Sequence, residues 1–140
     1  MRFLVHAGIP YDGRLDVEEF IDEGIVSLAT TGDQVSASDL INRTFQLLDE
    51  VAGNNALRRF ENGQFVGKVV LAGLEGIAVG VAKNFDAIQA LGAIQANVFV
   101  RQKIETFWAQ PEVATFTSLG LRGTVRIQRT VPFGEAWFRP

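Results

Sequence analysis

Cysteine is absent from this 140-residue chain, and histidine occurs once, at His6. Without a thiol there is no disulfide framework, no thiolate nucleophile and no cysteine zinc cluster. A single imidazole falls short of the several nitrogen or sulfur ligands that zinc and iron sites prefer. Nucleophile triads need a general base beside the serine or cysteine, and His6 stands alone in a short apolar run where it reads as a structural or surface residue. Neither a Walker pattern nor G-x-G-x-x-G occurs. Gly120-Leu121-Arg122-Gly123-Thr124 is flanked by glycine but lacks the lysine and the following helix of a phosphate loop. These absences leave no catalytic, cofactor-binding or metal-ligating residue to nominate, and no cofactor is expected.

Carboxylates are the remaining candidates for a hard cation. Asp12, Asp16, Glu18, Glu19, Asp22 and Glu23 cluster, and Asp12, Asp16 and Glu23 fall at positions 1, 5 and 12 of a calcium loop. Arg14 occupies position 3, however, and Val17 replaces the turn glycine, so the loop lacks a ligand and its bend. A solvated acidic helix face is the plainer reading.

Charge is low and unevenly spread. The net charge of −3 combines three basic and ten acidic residues in positions 1–50 with six basic and three acidic ones in positions 101–140. With 47% hydrophobic and 21% charged residues, the chain has the composition of an ordered domain. Its length suits one domain, 1–140, able to bury a core without staples. With no cysteine and no signal-like start, the cytoplasm is the expected compartment. The apolar stretch Phe65–Ala82 nearly matches a membrane span, but Lys68 and Glu75 lie inside it, and a central charge costs roughly 2.5 to 3.5 kcal/mol on insertion scales. A buried helix is expected there and no membrane partner. Lys68 and Glu75 would share a helix face and reach an edge.

Periodicity predicts a mainly α fold, a compact helical domain with short extended segments near both termini. Residues 1–37 form a mixed segment. Arg2–His6 reads as a strand closed by Gly8, Pro10 and Gly13, and Asp16–Asp22 as an acidic helix with Val17, Phe20 and Ile21 inward and Gly24 as its stop. Residues 38–140 form a helical region. Ser36 and Asp39 approximate a capping box, and Leu40, Ile41, Phe45, Leu48 and Val51 follow at helical spacing as far as Gly53. Ala56–Phe60 reads as a helical turn broken by Glu61-Asn62-Gly63. Asn84 reads as a cap for helices over Phe85–Leu91 and Ala93–Trp108, the second with Ile94, Val98, Arg101/Gln102 and Glu105 along one line and Phe99, Lys103 and Phe107 along another. Pro111 ends it, Glu112–Ser118 adds a turn, and Val125–Arg129 alternates like a half-buried strand.

Two constellations remain. Gly73, Gly76 and Gly80 fall on adjacent turns of the apolar helix, each costing about 1 kcal/mol relative to alanine. Such a stripe implies close helix packing within the chain or, in the sharper reading, a seam for a homo-oligomer. Arg122, Arg126 and Arg129, with Phe133, Trp137 and Phe138 behind them, have the basic and aromatic mixture of single-strand nucleic-acid binders. A structural role, pairing with acidic residues such as Asp16, Glu19 or Asp22 or with backbone carbonyls, is the favoured reading.

The order of several short segments resembles a known family. Ala56-Leu57-Arg58-Arg59-Phe60, Gly63-Gln64-Phe65, Leu74-Glu75, Phe107-Trp108, Gly120-Leu121-Arg122-Gly123 and Arg126-Ile127 are similar to the helical region that follows the N-terminal domain in GmrSD-type prokaryotic DNA restriction proteins, over residues 38–140. The resemblance implies a packing region with Arg58, Phe60, Glu75, Trp108 and Arg122 in structural roles. Relatives carry nucleotide-dependent chemistry in a ParB/sulfiredoxin-like N-terminal domain and often cleave DNA with a histidine-rich nuclease domain. Ile9-Pro10-Tyr11-Asp12-Gly13-Arg14 only faintly resembles the N-terminal domain's motifs, and no catalytic residue carries over. The expectation is a non-catalytic helical protein-interaction module, a stand-alone or split relative of a restriction or anti-phage defence protein, with a protein partner or a second copy. The alternative is a small nucleic-acid-binding protein using Arg122, Arg126 and Arg129, and a third is an enzyme holding a ligand between helices.

Overall fold

The N-terminal apolar run, too short for periodicity to separate strand from helix, folds as a helix. In the computed structural model, which describes residues 1–140, α1 (Arg2–Gly8) buries four consecutive side chains, Phe3, Leu4, Val5 and His6. The expected strand is corrected for that reason: neighbours cover α1 on more than one side, so Phe3 and Leu4 enter the main core while Val5 packs with Phe20 and Ile21. Asp16 opens α2 (Val17–Thr31) by accepting the Glu19 amide at 3.0 Å. Gly24 does not stop this helix. A Cβ there would sit 2.5 Å from Val5 Cγ1, so the glycine is where α1 lies down on α2.

Asp33, rather than Ser36, caps α3 (Gln34–Ala52). Its carboxylate accepts the amides of Val35 and Ser36 at 3.0 and 3.2 Å and the Ser36 hydroxyl at 2.6 Å. Gly53 ends α3 with φ +57 and starts a 3₁₀ turn, Gly53–Asn55. The predicted helical turn over Ala56–Phe60 is replaced by an antiparallel hairpin, β1 (Arg59–Glu61) and β2 (Gln64–Val66), with Phe60 opposite Phe65. Asn62 and Gly63 both take positive φ, as a tight hairpin turn requires. This mid-chain hairpin is the only sheet, so the extended segments expected near both ends are absent.

The apolar segment supplies the central helix. α4 (Leu71–Gly73), a π-helical stretch (Leu74–Ala78) and α5 (Val79–Lys83) run on as one element, with Ile77, Ala78, Val79 and Val81 fully buried. A helix apolar all round must be covered all round. α1 and α3 pack on it, and α9 (Gly123–Trp137) makes its most extensive contact. Beyond it come α6 (Phe85–Gln89), α7 (Ala93–Phe107) and α8 (Pro111–Phe116), the last with Pro111 in its first turn. α7 packs on α3 and buries Ala96, Val100, Ile104 and Phe107, the last turned toward the central helix, where its ring meets Gly76. The line of Ile94 and Val98 instead faces outward, because the buried arc of α7 is offset from it. α9 (Gly123–Trp137) occupies the segment expected as a strand: Ile127, Thr130 and Gly134 are buried at helical spacing, with Pro132 exposed inside the helix. No helix is long and apolar enough to cross a membrane.

Candidate functional site

A carboxylate inside an apolar helix needs a partner, and α9 brings one. Glu75, on the π-helical stretch, is completely buried, while Lys68 lies exposed before the helix begins; the two do not share a face. Arg126 reaches Glu75 through two parallel bonds, Nε to Oε2 and Nη2 to Oε1, each 3.0 Å. The Glu75 hydrogen bonds raise the Arg126 guanidinium above its ordinary value, against the opposing effect of burial. Both carboxylate oxygens are thus engaged, sealed from solvent behind a guanidinium that is 20% exposed. The Thr130 hydroxyl donates to the Arg126 carbonyl at 2.6 Å.

His6 lies in the same layer. It is 2% exposed, its Nε2 finds no hydrogen-bond partner, and burial first, then the charges of Arg2 and Arg126, lower its pKa to about 4. The ring is neutral at pH 7 and packs against Phe20 with centroids 5.8 Å apart.

The three C-terminal arginines separate. Arg126 belongs to Glu75, Arg129 donates to the Thr115 carbonyl at 2.9 Å, and Arg122 lies exposed at the start of α9. None pairs with Asp16, Glu19 or Asp22, which corrects the expected link to the acidic N-terminal half, while Arg129 makes the pairing with a backbone carbonyl that was the other expectation; Asp16 is spent on its own helix cap. The aromatics behind them turn inward. Phe138 is fully buried, and Trp137 donates Nε1 to the Lys103 carbonyl at 3.0 Å while the Lys103 ammonium sits 4.1 Å from its ring centre. A helix does follow Gly120–Thr124, without the lysine of a phosphate loop.

The glycine stripe is consumed within the chain. A Cβ at Gly73 would meet the Leu57 carbonyl, one at Gly76 the Phe107 ring at 2.5 Å, and one at Gly80 the Gly134 carbonyl oxygen at 2.5 Å. All three glycines are buried, which leaves no seam for a second copy. Asn84 stands at the N-cap position of α6, as expected, but its side chain makes no capping bond; its Nδ2 donates instead to the carbonyls of Gly80, at 2.9 Å, and Glu135, at 2.8 Å, and so ties the central helix to α9. The N-terminal acidic residues gather no group of three carboxylate or imidazole side chains suited to a metal, and Asp12 turns to Arg14.

An open face is left on α7. Ile94 is 77% and Val98 56% exposed, with Leu91 beside them on the preceding turn. Val98 edges a groove of about 500 Å³ between α3 and α7, lined also by Glu50, Val51, Arg101 and Glu105. Arg101 is held there by Glu105 at 2.7 Å and by the Val51 carbonyl at 2.9 Å, while Glu50 forms no ion pair and accepts a bond from the Gln46 side chain at 3.1 Å. Sequence reasoning placed Ile94 and Val98 on one line without seeing that the line is outward; their offset from Ala96, Val100 and Ile104 was the available signal. The Glu75–Arg126 pair was also missed, although a charge within so apolar a run asks for an opposite one elsewhere. No protein-family model, curated protein or solved structure matches the chain.

Proposed function

We propose that the chain is a non-catalytic helical module that works through protein contacts, and that its partner docks on the α3–α7 groove. The observation that carries this reading is the pair Ile94 and Val98, standing in solvent on a helix whose opposite side is fully buried. Exposed apolar side chains beside a groove are a feature of interaction surfaces. The groove's charge selects the partner: Arg101 is neutralised by Glu105, and Glu50 has no ion-pair partner. The fitting occupant is a separate protein segment, an amphipathic helix with an apolar stripe and lysine or arginine at its flanks. The order of short segments that resembles the restriction family is what supports a stand-alone or split relative acting in a prokaryotic defence assembly. The nucleic-acid alternative has less support, since two of its three arginines are engaged inside the chain.

The test uses a helical leucine–lysine peptide and its leucine–glutamate counterpart as probes. The basic peptide should shift backbone amide resonances along α3 and α7 only, the acidic one should not, and Ile94→Asp with Val98→Asp should abolish the effect while stability changes by no more than about 0.5 kcal/mol. Binding of both peptides alike, or a dimer in light scattering that the double substitution dissociates, refutes the reading.

A further inference from the structure

A second cavity, of about 310 Å³, lies on the side of the molecule formed by the hairpin, α8 and the start of α9. Its walls are apolar: Val70, Leu71 and Ala72 from the entry to the central helix, Phe116 from α8 and Leu121 from the loop before α9. Leu71 is 48% exposed at its mouth. Two arginines also line it, Arg59 and Arg126. β1 places Arg59 opposite Val66, away from the Phe60–Phe65 pair, and its guanidinium lies 5.7 Å from the Trp108 ring centre with no carboxylate beside it. Arg126 gives Nε and Nη2 to Glu75, which leaves Nη1 uncommitted. The nearby hydroxyls of Thr117 and Ser118 donate to the carbonyls of Val113 and Ala114, so the cavity's free donors are the guanidinium ones.

We propose that this cavity binds a small monocarboxylate with a branched or aromatic apolar body. One of the two arginine charges is cancelled by Glu75 and one is not, which matches a single negative charge. Planar guanidinium donors suit a carboxylate, and the apolar walls suit its hydrocarbon. The volume lies at the low end of ligand pockets, roughly 300 to 1,000 Å³, so the body is short. This site is separate from the α3–α7 groove and does not depend on the reading of that groove.

The experiment titrates the full chain with 4-methylvalerate and 3-phenylpropionate, and with the amides of the same acids, following backbone and arginine Nε resonances. The acids should bind, with shifts centred on Arg59, Leu71 and Leu121, and the amides should bind at least about tenfold more weakly, the loss expected for one charge-assisted hydrogen bond. Arg59→Gln should weaken the acids by a similar factor with an unchanged melting temperature, and Leu121→Asp, which sets a like charge at the cavity wall, should abolish binding. The proposal is overturned if neither acid binds at about 10 mM, if acid and amide bind equally, or if both folded variants bind the acids as the unaltered chain does.

Discussion

Adding a single methyl group at Gly80 should push the central helix and α9 apart. The new Cβ would lie 2.5 Å from the Gly134 carbonyl oxygen, 2.7 Å from its carbon and 2.8 Å from Phe138 Cδ2, where ordinary contact begins near 3.4 Å. Two of these atoms are backbone, so no rotamer change relieves the overlap and the helices must separate by roughly 0.5 to 1 Å, forfeiting a quarter to a half of each contact along the seam. Alanine gains about 1 kcal/mol of helix propensity over glycine, while overpacking costs typically 1 to 3 kcal/mol and occasionally more. A rigid backbone neighbour puts Gly80→Ala at the upper end of that cost, and the net effect is a loss of about 1 to 2 kcal/mol. At this chain length that lowers the melting temperature by roughly 3 to 7 °C. Gly8→Ala, also in a helix but with nothing within 4 Å of its Cβ position, is the control and should be neutral or stabilising. Calorimetry of both variants decides the matter: Gly80→Ala melting at or above the unaltered chain would mean that the two helices do not meet at Gly134.

Two further perturbations probe the buried polar layer. Arg126→Met strands Glu75 without a partner or solvent and should cost about 3 to 5 kcal/mol, whereas replacing both partners, Glu75→Leu with Arg126→Met, should restore most of that loss; urea denaturation that finds the single and double variants equally unstable refutes the pairing. His6 titrates at about 4 when folded against 6.5 in its unperturbed state, so the unfolded chain binds its proton first: the stability it contributes is complete above about pH 6.5 and drains away as pH falls through 4, about 3 kcal/mol in all. His6→Leu should remove that share of the acid dependence between pH 7 and 4, and an identical pH profile for both proteins would show His6 to be solvated.

The elements that the sequence disclosed were those with strong local signals. α3 has an acidic cap, a clean apolar stripe and a terminal glycine with positive φ, and its core positions, Leu48 and Val51, are where helical spacing puts them. α9 was obscured by its own composition. Gly123, Pro132 and Gly134 all disfavour helix locally, and Val125 to Arg129 alternates as a strand does, yet burial of Ile127, Thr130 and Gly134 against the central helix outweighs those preferences. The hairpin carried the sharpest turn signal in the chain, Asn62-Gly63, but strands of three residues were too short to show alternation. The candidate sites were less legible still. Glu75 and Arg126 are separated by 51 positions, and Arg59 gains meaning only when α8 and the central helix close around it; neither juxtaposition leaves a trace in local periodicity.

A buried ion pair in a largely apolar core needs a reason to persist. Its net contribution to stability is small, because desolvating two charges offsets most of their attraction. Its position along the helix pair supplies a reason. Glu75 meets Arg126, Gly80 meets Gly134, and Asn84 meets Glu135, so three contacts of different chemistry rise together in number along two helices running in the same sense. The glycines permit close approach but are nearly blind to register, since one small residue slides over another. The ion pair and the Asn84 bridge are not. A slip of one helical turn, about 5.4 Å, would leave Glu75 buried without its guanidinium and cost several kcal/mol. Closeness comes from the small residues and register from the polar ones, and the cavity beside Arg126 keeps its shape only while that register holds.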